Sequence, residues 1–113
     1  ITFIGELAFY VCASLTSIKL PSNLETISNR AFEACGELKS IEIPSSVTSI
    51  GTGVFTYCYK LSSVCFKDTS TWYATENSDL TNGTQIDVTN PKSNAINLVG
   101  IDGLWQKKFL YKK

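Results

Sequence analysis

The chain has 113 residues, room for one small domain, and its 43% apolar content is ordinary for a folded chain and too high for a disordered one. Ten Lys and Arg against ten Asp and Glu cancel, which leaves no electrostatic footprint for nucleic acid or an anionic membrane surface. The absence of His removes His-based triads, His metal ligands and the usual general base near neutral pH.

No apolar run approaches the roughly 18 residues of a membrane span. The chain starts at Ile1, contains no Met and shows no charged segment leading into an apolar one. It is therefore expected to be a fragment whose targeting segment lies upstream.

From the N-terminus, Ile4 opens a pattern that returns 23 residues later at Ile27 and again at Ile50. In the same register, Ala8, Ala31 and Val54 align, as do Phe9, Phe32 and Phe55. Cys12, Cys35 and Cys58 form another column, followed by Leu15, Leu38 and Leu61. Ile18, Ile41 and Val64 come next, then Leu20, Ile43 and Phe66. Ile1-Thr2-Phe3-Ile4 matches Leu24-Glu25-Thr26-Ile27, so the chain begins inside a repeat. Units this small cannot bury their own apolar side; stacked one on another, they form a continuous core.

Within each unit, Ile18 and Leu20 share one face of an extended segment, with Ser17 and Lys19 on the other. Ile41 and Ile43 do the same against Ser40 and Glu42, and Val64 and Phe66 against Ser63 and Cys65. These segments are expected to lie side by side as a parallel sheet, ended by Pro21 and Pro44, which lack an N–H donor. Ser28 to Cys35 predicts a short helical turn capped by Ser28 or Asn29, with Gly51-Thr52-Gly53 a less helical equivalent. The phenylalanines are expected to stack as a column inside the coil.

From about Lys67 the period is lost, and residues 67–113 are expected to cap the last coil. Trp72 and Tyr73 are placed on a short helix or turn. Asn82-Gly83 is a turn signal before a strand carrying Thr84, Ile86 and Val88. Ile96 and Leu98 predict a second strand, Ile101-Asp102-Gly103 a turn, and Trp105 to Tyr111 a third strand. Lys112 and Lys113 are expected to fray.

The pattern Ala31-Phe32-x2-Cys35-x2-Leu38-x2-Ile41-x-Ile43-Pro44 resembles the repeat of the bacterial surface protein A type, also called the Treponema pallidum-type leucine-rich repeat. Residues 1–66 carry the resemblance, and Val54, Phe66 and Lys67 depart from it at the last unit. The stretches Asn82 to Val88 and Asn94 to Leu98 also resemble the tails that close treponemal members. The resemblance implies a surface-exposed or secreted protein of bacteria or protist parasites. It further implies adhesion to a protein ligand such as a host matrix or cell-surface protein.

Three of the four cysteines share one column, where stacking would space them about 4.7–5 Å apart in a line. Buried structural thiols bonding to loop backbone explain that column; the alternatives are a disulfide between neighbours or a zinc site lacking its fourth ligand. Cys65 is expected to face outward beside Glu42 and Lys19, with no cation cluster to activate it. Phe3, Tyr10, Tyr57 and Tyr59 are either exposed contact residues or shields of a coil edge. Asp68, Glu76, Asp79, Asp87 and Asp102 read as solvated surface, without the spacing of a calcium loop or a glycosidase pair. Lys107, Lys108, Lys112 and Lys113 read as a solubilising end.

The sequence thus predicts an α/β leucine-rich-repeat solenoid with a parallel sheet: about three 23-residue coils over residues 1–66, then a capping segment over 67–113. No catalytic, cofactor or metal site is expected. Candidate partner-binding residues are Ser17, Lys19, Ser40, Glu42, Ser63 and Cys65, on the outward sheet face. The rival role is a purely structural end to a longer array. The open N-terminal edge is expected to favour self-association.

Overall fold

Short extended segments recur once per period, and each pairs with its counterpart in the next unit. A computed structural model describes residues 3–12, 14–99, 105 and 107–112. Among these, the repeats supply strands β1 (Phe3–Ile4), β2 (Thr26–Ile27), β3 (Ser40–Ile43), β4 (Ser49–Ile50) and β5 (Ser63–Phe66). Parallel pairing of β1 with β2 and β2 with β4 puts Ile4, Ile27 and Ile50 in one row. In a separate two-stranded sheet, β3 pairs in parallel with β5, Ile41 opposite Val64 and Ile43 opposite Phe66. The expected parallel pairing is thus observed between β3 and β5, while Ser17 to Leu20 joins no strand ladder and a second parallel row, through Ile4, Ile27 and Ile50, goes beyond the expectation.

The corner between the sheets differs from expectation, because Ser28 to Cys35 forms no helix. Its N–H groups are divided between two tasks. Ala31, Glu33 and Cys35 donate locally, to the carbonyls of Ser28, Arg30 and Phe32. Arg30, Phe32 and Ala34 donate instead to Thr52, Val54 and Thr56 of the next unit, at 3.0, 3.0 and 2.7 Å. The unit before repeats the scheme, with Phe9 and Val11 donating to Ala31 and Glu33. An α-helix would use all these donors internally and leave the neighbouring unit's carbonyls unpaired.

The alternation requires left-handed residues, and they recur at the repeat period: Leu7, Arg30 and Gly53 at φ 59, 57 and 63°, then Val11, Ala34 and Tyr57 at 54, 63 and 64°. Only Gly53 adopts this conformation without steric cost; for the others it costs roughly 1–2 kcal/mol each, and at Val11, Arg30 and Ala34 an inter-unit bond holds it in place. Gly51 answers a different need. A Cβ there would run into Asn29 Oδ1 and lie 2.6 Å from the Asn29 backbone nitrogen.

One continuous apolar cluster joins the inward-facing residues of both sheets. Phe9 stacks on Phe32 with ring centroids 5.0 Å apart, and Phe32 on Phe55 at 5.7 Å. Phe32, Phe55, Leu38, Val47 and Leu24 have no exposed surface. The thiol column lies beside the rings, Cys35 and Cys58 being buried to the same degree.

The C-terminal stretch packs against both sheets. It contains β6 (Trp72–Thr75), β7 (Thr84–Ile86), α1 (Pro91–Val99) and β8 (Phe109–Lys112). Strand β8 lies antiparallel against β4, and β6 and β7 follow it, giving a six-stranded sheet in the order β1-β2-β4-β8-β6-β7. Trp72 and Tyr73, expected on a helix or turn, therefore lie on a strand. Trp72 packs edge-on against Phe66 at 5.0 Å, and its indole N–H donates to the Asp68 carbonyl.

The strand expected at Ile96 and Leu98 is helix α1. Asn90 Oδ1 accepts from the N–H groups of Lys92 and Ser93, and Pro91 fills the first helical position, where no donor is needed. The buried residues are Asn94, Ala95 and Leu98, a helical spacing, while Ile96 is 63% exposed. The helix lies beside β5, and Asn94 Nδ2 donates to the carbonyls of Val64 and Val88, both at 2.8 Å. Asn94 thereby supplies a donor to a β5 carbonyl that a further strand would otherwise satisfy.

The third expected strand, Trp105 to Tyr111, is realised at Phe109–Lys112. Lys112 does not fray: its ammonium meets Asp68 Oδ2 at 2.9 Å and the Ser45 carbonyl at 2.6 Å, and lies over the Trp72 ring. Hydrogen bonds from Ser70 and the Lys112 ammonium hold the Asp68 carboxyl well below the usual carboxylate range. The turn expected at Ile101 to Gly103, and Lys113, lie outside the described residues.

Removing the middle ring of the column should cost most of what a domain of this size can spare. Phe32→Ala is expected to lower the unfolding free energy by about 3–5 kcal/mol, read from urea denaturation, while Ile96→Ala changes it by less than about 1 kcal/mol. Equal effects of the two substitutions would contradict an interior phenylalanine column.

Candidate functional site

Alternation along β3 and β5 separates two sets of side chains. Ile41, Ile43, Val64 and Phe66 face the core, and Ser40, Glu42, Ser63 and Cys65 face away from it. Register pairs Ser40 with Ser63 and Glu42 with Cys65. One period earlier, the Lys39 N–H donates to Thr16 O at 3.1 Å and holds the Ser17-to-Leu20 segment alongside β3. That segment is not itself a ladder strand.

All six candidate residues, Ser17, Lys19, Ser40, Glu42, Ser63 and Cys65, line one open concavity of about 850 Å³. Ser22, Ser45 and Lys67 complete its polar lining. None of these three was singled out from the sequence pattern, and Lys67 is the charged one. It follows Phe66 on the outward-facing alternation 63, 65, 67, a signal obscured because Lys67 occupies the position of Pro21 and Pro44 in earlier units. Its ammonium lies 3.7 Å from Glu42 Oε1, with both side chains more than half exposed. An exposed pair of this kind contributes about 0–1 kcal/mol, so Glu42 exchanges partners at little cost. Lys19 is exposed and has no hydrogen bond or ion pair among the described residues. Two cations, one anion and a row of hydroxyls suit polar contacts with another molecule. A second, smaller concavity of about 320 Å³ lies on the other sheet, between Thr26 and Ser49 on one side and Ser78 and Leu80 on the other.

The thiol column is structural. Cys35 Sγ donates to Phe9 O at 3.0 Å, and Cys58 Sγ to Phe32 O at 3.1 Å, so each thiol ties its unit to the preceding one. Burial pushes the Cys35 thiol up, and drives that of Cys58 up to about 12. Neither is a thiolate near neutral pH, and all four cysteines are unpaired. Among the described residues no three His, Cys, Asp or Glu side chains gather as metal ligands. No helix among them is long and apolar enough to cross a membrane.

A family model described as the BspA type leucine rich repeat region matches residues 1–96, in 6 copies. No curated protein and no solved structure matches the chain.

Partial exposure separates Cys12 and Cys65 from the buried pair. A maleimide is expected to label Cys12 and Cys65 within minutes in the folded chain, and Cys35 and Cys58 only in denaturant. Mass spectrometry of the labelled peptides checks this order; early labelling of Cys58 would contradict its hydrogen-bonded burial.

Proposed function

Since the chain belongs to the BspA-type leucine-rich-repeat family, we propose that it is a non-enzymatic protein-binding and adhesion module of a bacterial cell-surface or secreted protein. The partner is a host matrix or cell-surface protein, held on the face built from Ser17, Lys19, Ser40, Glu42, Ser63 and Cys65. The observation that carries this reading is their convergence on a single concavity, with Lys19 unpaired among the described residues and Glu42 only loosely paired. In this reading residues 1–66 form a solenoid, and residues 67–113 are its cap. The closure of β4 by β8 and of β5 by Asn94 supports that division.

The same closure favours a second reading, in which this piece ends and stabilises an array whose binding surface lies elsewhere. Replacing Lys19 and Glu42 together with Ala separates the two. On the adhesion reading, capture of extracellular-matrix proteins falls while the melting temperature is unchanged. Capture that persists unaltered supports the structural reading.

Self-association is proposed at the opposite end. Phe9, Leu15 and Ile18 are only half-buried, whereas their counterparts Phe32, Leu38 and Ile41 are buried, and β1 is an edge strand. The 113-residue chain is expected to show a rising sedimentation coefficient with concentration; a monomer throughout would remove this proposal.

A further inference from the structure

Cys12 and Cys35 meet at one acceptor. Phe9 O accepts from the Cys12 N–H at 3.2 Å and from Cys35 Sγ at 3.0 Å. The Cys35 sulfur also lies within hydrogen-bonding reach of the Cys12 N–H and of its thiol. Here the two units are related by an almost pure translation, since the Phe9 and Phe32 rings stand 5.0 Å apart and are tilted by only 1°. Carried from the rings to the cysteines three positions on, that translation falls inside the roughly 4.4–6.8 Å between Cα atoms that a disulfide spans.

Exposure separates the members of the column. Cys12 is half-buried, whereas Cys35 and Cys58 have no exposed surface. A soluble oxidant therefore meets Cys12 first, and the sulfur next to Cys12 is that of Cys35. With a small disulfide as oxidant, the Cys12 thiolate attacks one of its sulfurs and releases the other as a thiolate. Cys35 then gives its proton to water, attacks the Cys12 sulfur and expels the second half of the oxidant. Two cysteine thiols lose two electrons and two protons, and one small disulfide becomes two thiols. The product leaves no buried acceptor empty: Phe9 O loses the Cys35 thiol but keeps the Cys12 N–H. Cys65 takes no part, because it sits opposite Glu42 on the outward face of β5.

We propose that Cys12 and Cys35 form an oxidative modification site, which a soluble disulfide converts into an intrachain bond joining the unit of Phe9 to the unit of Phe32. Trypsin separates all four cysteines, into peptides 1–19, 31–39, 40–60 and 61–67. The test is to incubate the reduced, folded chain with glutathione disulfide, alkylate it, digest it without reductant and map the peptides by mass spectrometry. The Cys12 and Cys35 peptides are expected to be joined, in a chain of monomeric mass two hydrogens lighter. Cys35→Ser, which keeps a donor for Phe9 O, should stop at a glutathione adduct on Cys12. Cys12→Ser should leave the Cys35 and Cys58 peptides fully reduced. Unchanged circular dichroism establishes that both variants are folded, and the link in the unaltered chain depends on neither. The proposal is overturned if the unaltered chain stops at the Cys12 adduct, forms covalent dimers in place of the link, or joins Cys35 to Cys58.

Discussion

The division of backbone donors at the corner between the two sheets sets the shape of the repeats. Every N–H and carbonyl taken from water needs a partner. Here alternate residues satisfy that need in different directions: Ala31, Glu33 and Cys35 close local turns, and Arg30, Phe32 and Ala34 reach the next unit. One unit thus leaves its neighbour a fixed row of acceptors at a fixed height, and the side-chain columns follow. The left-handed residues at Arg30, Ala34 and Tyr57 are the conformational cost of that division.

Given the ladder, the interior packs by simple superposition. Phe9, Phe32 and Phe55 lie nearly face to face, and thiols from Cys35 and Cys58 reach back to the carbonyls of Phe9 and Phe32. Cysteine suits that position because it is small, tolerates burial and still donates a weak hydrogen bond. The same translation that stacks the rings also brings outward side chains into rows. The concave face is therefore a consequence of the packing: Ser17, Ser40 and Ser63 come together because Ile18, Ile41 and Val64 do.

The C-terminal stretch packs on the parallel stack in two ways. Strand β8 adds antiparallel to β4, and Asn94 on α1 reaches the β5 carbonyl with a side-chain amide. The Lys112 ammonium, on Asp68 and the Ser45 carbonyl and over the Trp72 ring, then fastens the last strand.

The period of 23, the inward columns and the outward row of Ser17, Lys19, Ser40, Glu42, Ser63 and Cys65 were all legible in the sequence, because a translation repeated along the chain writes itself into residue identity at constant spacing. What lay beyond it depended on contacts distant in the chain. Whether Ser28 to Cys35 coils into a helix is decided by acceptors at Thr52, Val54 and Thr56, which no local propensity contains. Alternation at Ile96 and Leu98 suggested a strand, yet the Asn90 cap and burial of Asn94, Ala95 and Leu98 against β5 select a helix. Lys67 joins the concave face, and Lys112 leaves the solvent, through Glu42 and Asp68, residues 25 and 44 positions away in the chain. Repetition makes each unit a template for the next and can be read along one dimension; a closing segment meets its partners once, and only the folded chain says where.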